Sequence, residues 1–412
     1  MAAVVNGPIT GHRVAITGIG VMCATGKNRS QFQRALCEGH CGIGSLASAA
    51  GTDIRFQYGA EIPDFKPEDY FSLKQADMVD RFAQLAVVAA REAVGDSGIE
   101  WTDELRENAG IVTGSCIGGQ STENQGFYDV YKMGKTRVHP MTIPKTMANA
   151  GASAISLEFG ITGPTFTIAT ACSSSAHAIG QAFWMVRSGM CDLVLAGGSE
   201  APFSYGVLKA WEAMRVISPT VCRPFSRDRN GMMLGEGAAM LVVESLDRAL
   251  ARGATPIAEI VGFGMSSDAH HVTQPSAEGA AKAVRMALRD AGIAPEQVGY
   301  VNAHGTGTTV NDSTETRALH LAFGAHAPNL QISSTKAMHG HTLGAAGAIE
   351  AAATILALAS GTLPPTIHFN ERDPECDLDY IPNCARKADV EYAISNSFAF
   401  GGLNAVLAFR RC

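Results

Sequence analysis

Short apolar runs that end in small-residue turns and hand over to helical patterns recur twice along this chain, in the same order. Val14–Ile16 runs into TGIG, and Phe82, Leu85, Ala89 and Ala93 follow at helical spacing until GDSG stops them. Ile111–Thr113 then leads into GSCIGG, Phe166–Thr170 into ACSSSAHAIGQA, and Leu193–Ala196 into GGSE. The second half repeats the series. Ile257–Val261 leads into GFG, a helical pattern over 280–288 stops at DAG, Tyr300–Asn302 leads into AHGTGT, Gln331–Ser333 into STKAMHGHTLGAAGAIEAA, and Tyr392–Ser395 into NSFAFGG. This repetition predicts an internally duplicated α/β protein with mostly parallel sheets between helices. We expect a tail over 1–12, one half over 13–255 and the second over 256–412, packed as a unit because no flexible linker separates them.

Composition narrows the function. The 412 residues are 46% apolar and carry a net charge of −7, without the basic excess of a nucleic-acid binder. Ten cysteines stand without CxxC pairs, so neither a zinc site nor a disulfide framework is expected; a reducing, cytoplasmic setting fits. The start shows no signal-peptide core, and we expect no apolar stretch of about 18 residues to cross a membrane. TGIG and GSCIGG lack the spacing of nucleotide loops. The pairs His270/His271 and His339/His341 lack the company of metal ligands.

Cys172 draws attention because it ends the run FTIATA and opens a helical pattern. A thiol there faces the positive end of a helix dipole, so its pKa is expected to fall, and the free backbone N–H can hold an oxyanion. Spacing alone also fits a small buried structural cysteine. His304, after an apolar strand in VNAHGTGT, and His341, in KAMHGHTLG, could as neutral imidazoles donate to a thioester carbonyl while carbon dioxide leaves a malonyl group. Lys336 is either an ordinary surface lysine or paired with Glu350 further along the same helical stretch. Phe400, before Gly401 and Gly402, either gates an acyl pocket or is a core aromatic beside a tight turn.

The segments ATACSSSAHAIG, RPFSRDRNGMMLGEGAAM, VNAHGTGT, SSTKAMHGHTLGAAGAIE and NSFAFGGLN together resemble the β-ketoacyl-acyl carrier protein synthases over roughly residues 12 to 410. The likeness is to the second elongating type and to the ketosynthases of polyketide and nodulation-factor pathways. It implies the thiolase fold, two related halves in a five-layered αβαβα sandwich, and a homodimer. It implies Cys172 as nucleophile, His304 and His341 as the histidine pair, and Lys336 with Glu350 as their support. It further implies an oxyanion hole from the N–H groups of Cys172 and Phe400. Thr306 and Thr308 would contact the phosphopantetheine arm of an acyl carrier protein, Ile117 and Trp211 would line the acyl pocket, and Arg215 would dock the carrier. No cofactor or metal is implied.

Several positions depart from the family pattern. Asp77 and Asp80 stand where many relatives are basic, leaving Lys74, with Lys132, Lys135 and Arg137 as compensating charges for carrier docking. Three serines follow Cys172, AHGTGT replaces AHGTST, and His339 replaces a usual Thr. The resemblance thus leaves open the active subunit of a specialised polyene, polyketide or nodulation-factor heterodimer. A non-catalytic chain-length factor lacks the nucleophile, and thiolases and priming synthases differ at the second histidine. A cysteine-dependent thioester hydrolase is the reading from another class, and it needs an orienting Asn or Asp beside its base.

Overall fold

The computed structural model describes residues 11–412. Residues 1–10 of the expected tail lie outside the described residues, whereas the His12 N–H donates to the Arg187 carbonyl at 3.0 Å.

Each half contributes five strands and three principal helices. The first half runs β1 (Val14–Cys23), α1 (Arg81–Ser97), β2 (Ala109–Gly114), α2 (Ala150–Phe159), β3 (Thr165–Ile168), α3 (Ser174–Arg187), β4 (Leu193–Glu200), a helix α4 (Tyr205–Met214) peculiar to this half, and β5 (Gly237–Ser245). The second runs β6 (Ala258–Ser267), α5 (Ala277–Ala291), β7 (Val298–Asn302), α6 (Thr309–Phe323), β8 (Gln331–Ser333), α7 (Ala346–Ser360), β9 (Tyr392–Ala399) and β10 (Leu403–Arg411). The strand order is 8-7-9-10-6 in one half and 3-2-4-5-1 in the other, the same sequence of equivalent strands. The halves meet where β1 and β6 pair antiparallel at Val14–Ile16 against Ala258–Ile260.

The layers follow from burial. Helices α3 and α7 touch strands of both halves and form the middle layer. Helices α1 and α2 cover one sheet from outside, and α5 and α6 cover the other. This is the five-layered αβαβα order of the thiolase fold. The stretch Leu343–Ser360, 18 residues at mean hydropathy 1.6, has the length and apolarity to cross a membrane by composition alone. It is 89% buried, and its apolarity serves a helix surrounded by protein on every side.

Two expectations about the sheets need correction. Half of each sheet is antiparallel, because β5 and β10 run against their neighbours. Both strands were absent from the sequence reading. The runs TGIG, GGSE and GFG, read as turns, lie inside β1, β4 and β6. Their glycines let a helix or strand approach the backbone closely. A Cβ on Gly20 would lie 1.8 Å from the Ala89 carbonyl oxygen of α1, and one on Gly264 would lie 2.1 Å from that of Ala283 in α5. Equivalent glycines thus meet equivalent alanines in the two halves. Gly98 and Gly292, each at positive φ, end α1 and α5 where GDSG and DAG predicted a stop.

Gly20→Ala and Gly264→Ala should each lower stability by about 1–3 kcal/mol through overpacking. Gly95→Ala, on α1 with nothing within 4 Å, should be neutral or stabilising. Denaturant unfolding of the three variants checks this, and equal effects at all three positions would refute the packing argument.

Candidate active site

Strand β3 ends at Ile168, and the chain turns through Ala171, held at φ 50°, into Cys172 and the first turn of α3. A non-glycine residue at positive φ is strained, so neighbours must hold this turn. The three serines do so. Ser173 Oγ lies within hydrogen-bond reach of the Thr170 carbonyl (2.8 Å) and of the Leu403 carbonyl of β10 (3.0 Å), which share its one proton. Ser174 Oγ donates to the Ala171 carbonyl (2.6 Å), and Ser175 Oγ accepts from the Ala348 N–H of α7 (2.8 Å). The turn that carries the thiol is therefore tied to both halves.

Cys172 is 7% exposed, at the floor of a cavity of about 490 Å³ whose wall includes His304, His341, Thr306, Thr308, Trp211 and Phe400. Burial pushes the Cys172 thiol up to about 12, against the opposing pull of the Lys336 charge and the Phe400 backbone N–H. The expected fall in pKa is thus reversed at rest, because loss of solvation outweighs the helix terminus. The N–H of Phe400 points at the sulfur from the turn between β9 and β10, where Gly401 and Gly402 both sit at positive φ. The Phe400 ring is 36% exposed and stacks on Trp211 with centroids 6.4 Å apart.

The two histidines come from the second half. His304 follows β7, and its N–H and that of Gly305 donate to Glu315 (2.9 and 2.8 Å) on α6. The His341 N–H donates to the Met233 carbonyl at 2.6 Å. The rings meet edge to face with centroids 5.4 Å apart. Burial, then the nearby Lys336 charge, holds both imidazoles well below the ordinary histidine range. Lys336 Nζ donates to the His304 carbonyl (2.6 Å), lies 3.3 Å from His304 Nδ1, and contacts Glu350. An ammonium donor at Nδ1 leaves the neutral ring's proton on Nε2.

Lys336 is fully buried, which discards the surface reading. It stands on a short helix, Lys336–His339, and Glu350 stands on α7, so the pair closes between two elements and not along one. Burial raises Glu350 to about 7 even beside Lys336, and its Oε2 has no partner.

The other expected residues divide. Arg215 reaches the cavity wall beside Trp211, whereas Ile117 is set back in an apolar cluster with Phe203 and Leu208, its N–H near Glu200. Lys74 and Lys132 are exposed and do not border the cavity. Lys135 pairs with Asp129 at 3.0 Å. Asp80 is no surface charge: it is 3% exposed, caps α1 and accepts from Thr122 N–H and Oγ1. His339 is wholly buried, hydrogen-bonded to Thr335 and the Gly340 carbonyl, and lowered to about 3 by burial, so it is a neutral packing group.

Two carboxylates escaped the sequence reading. Glu200 accepts from Ser115 Oγ (2.8 Å), Cys116 N–H (2.7 Å) and Gly344 N–H (3.0 Å), pinning the His341 loop to the first half. Glu315 holds the His304 loop and accepts from Asn396 Nδ2 (3.0 Å). A charge closing an apolar strand, as in LVLAGGSE, is the signal for the first; Glu315 showed none.

Comparison with known proteins agrees with this geometry. The family model "Beta-ketoacyl synthase, N-terminal domain" matches residues 11–249, and "Beta-ketoacyl synthase, C-terminal domain" matches 257–370. Nodulation protein E of Rhizobium sp. (strain N33) is 46% identical over 400 residues, covering 97% of this chain and 99% of that protein. The 3-oxoacyl-[acyl-carrier-protein] synthase 2 of Synechocystis sp. is 40% identical over 407 residues, covering 97% and 98%. The solved ishigamide ketosynthase/chain length factor superposes with a TM-score of 0.93 at 36% identity, covering 98% of this chain and all of that one. The chain therefore belongs to the β-ketoacyl synthases, the acyltransferases of fatty-acid and polyketide-type chain elongation.

Proposed function

We propose that Cys172 carries the growing acyl chain as a thioester and that His304 and His341 stabilise the enolate formed from a malonyl thioester borne by an acyl carrier protein. The observation that carries this reading is one cavity lined by the thiol and both neutral imidazoles. In the first stage the Cys172 sulfur attacks the acyl thioester. The acyl–sulfur bond to the carrier arm breaks, and the thiol proton passes to the departing arm. The oxyanion that forms lies against the N–H groups of Cys172 and Phe400. In the second stage the bond to the malonyl carboxyl breaks and carbon dioxide leaves. The enolate oxygen accepts from the imidazole N–H groups, and its carbon attacks the Cys172 thioester. The sulfur leaves as thiolate and regains a proton from water, as its raised pKa favours. Lys336 and Glu350 orient His304. No metal or cofactor enters these steps; the arm brings both substrates.

Thr306 and Thr308, with hydroxyls 2.8 Å apart on the cavity wall, suit the amides of such an arm, and Arg215 at the mouth suits an acidic carrier. A hydrolase is disfavoured, because each ring is backed by Lys336 or by no partner at Nδ1 instead of by a carboxylate. We place the protein in the cytoplasm, where its ten free cysteines stay reduced.

We further propose a homodimer. The sheet edge at β3 is half open, with Thr165 and Phe166 exposed, and Tyr131, Met133 and Ile143 are exposed on the segment that precedes α2. The equivalent edge at β8 is covered, since Ile332 N–H donates to the Asp379 carbonyl at 2.9 Å. A second copy adding its own β3 across a twofold axis would continue the sheet and cover the apolar residues. The relative solved with a chain length factor favours the second reading, a heterodimer in which such a partner takes the same place.

Cys172→Ala should fold normally yet take up no acyl group from an acyl-carrier, read by intact-protein mass spectrometry. An adduct at another residue of that variant would end the assignment. His304→Ala and His341→Ala should each lower malonyl decarboxylation by about a hundredfold while slowing Cys172 acylation much less. Ile143→Asp with Phe166→Asp should convert a sedimenting dimer to monomer. If the wild-type chain alone sediments as a monomer, the heterodimer reading replaces the homodimer.

A further inference from the structure

The motif RPFSRDRNG, residues 223–231, lies in the excursion between β4 and β5 that the second half lacks, and the mechanism above gives it no task. It lies against the loop that carries His304, Thr306 and Thr308. Cys222 Sγ donates to the Thr306 carbonyl at 3.3 Å, and Gly231 N–H donates to the Gly307 carbonyl at 3.0 Å. Arg229 Nε donates to the Thr308 carbonyl at 3.4 Å, and its Nη2 to the Thr309 carbonyl at 3.1 Å. Four successive carbonyls are thus held by residues 222–231, while Thr306, Thr308 and Gly231 all line the cavity, the two threonine hydroxyls 2.8 Å apart.

Arg229 is the hub of this arrangement. Its side chain is 1% exposed, 3.8 Å from Asp312 and in contact with Asp373, and its Nη1 also donates to the Ser226 carbonyl at 3.0 Å. Asp312 in turn accepts from the N–H groups of Phe225 (2.7 Å) and Gly307 (3.2 Å). A planar guanidinium can meet three carbonyls and two carboxylates at fixed angles, which a lysine ammonium cannot reproduce.

We infer that Arg229 is a positioning residue for the carrier arm: it sets the Thr308–Thr309 backbone so that the Thr306 and Thr308 hydroxyls face the arm's amides. This rests on the reading of those threonines as arm contacts. Misplacing them weakens binding of the long arm and leaves Cys172 and the histidines in place, since His304 is held separately by Glu315 and Lys336.

The test compares Arg229→Lys with a Thr306→Ala/Thr308→Ala variant on two acyl donors, an acyl-carrier and a simple S-ethyl thioester that has no amide. For Arg229→Lys the KM for acyl-carrier should rise about tenfold, with kcat and S-ethyl thioester acylation altered no more than about twofold. The double threonine variant should raise the same KM. If it raises KM and Arg229→Lys does not, the positioning role is refuted and the threonine reading stands. If the threonine variant leaves KM unchanged, the threonine reading itself falls and takes the inference with it. An equal loss on both donors in Arg229→Lys would make the arginine a scaffold for the whole site and also refute the proposal. Should Arg229→Lys fail to fold, Asp373→Asn, which loosens the arginine from its more exposed partner, is read by the same criteria.

Discussion

The buried contact between Lys336 and Glu350 organises everything around it. Taking two charges out of water costs several kcal/mol per ion, and a well-packed apolar pair is often as stable. This pair therefore makes sense by what else the ammonium does. One Nζ reaches the His304 carbonyl, its ring and the Glu350 carboxylate, so a single cation fixes the tautomer of one imidazole and suppresses the protonation of two. The same charge pulls down on the Cys172 sulfur, in opposition to burial. Removing the lysine alone would leave Glu350 buried without its counter-ion, and the carboxyl, already raised to about 7, would take up a proton.

Duplication explains how these groups come to share a cavity. The first half supplies the thiol at the junction of β3 and α3, and the second supplies both imidazoles from the ends of β7 and β8. The middle helices press so closely that a Cβ on Gly347 would lie 2.7 Å from Ala176. Polar ties cross the same seam, from Ser173 to Leu403, Ser175 to Ala348 and Glu200 to Gly344. Two diverged copies thus hold complementary reactive groups at a rigid, shared boundary, without a hinge between them.

Much of this was legible in the sequence. The strand-to-helix order signals the five strands repeated in each half, and the motifs single out Cys172, His304, His341 and Phe400, which line one cavity, and Lys336, which touches His304. The misreadings share a cause. TGIG, GGSE and GFG look like turns because glycine usually breaks strands, yet here it admits a neighbouring backbone, a requirement visible only in tertiary structure. The helix terminus, a local feature, predicts a lowered thiol pKa, whereas burial, which raises it, depends on the whole fold. Asp80 gives no sign of burial in the sequence because its partner, Thr122, lies 42 residues away.

The open edge at β3 has a consequence for the newly made chain. Unsatisfied N–H and C=O groups on an exposed strand, flanked by Tyr131, Met133 and Ile143, form a template on which any other extended segment can stack. A chain whose edge stays uncovered is therefore open to misassembly, and its yield as a soluble product depends on local concentration.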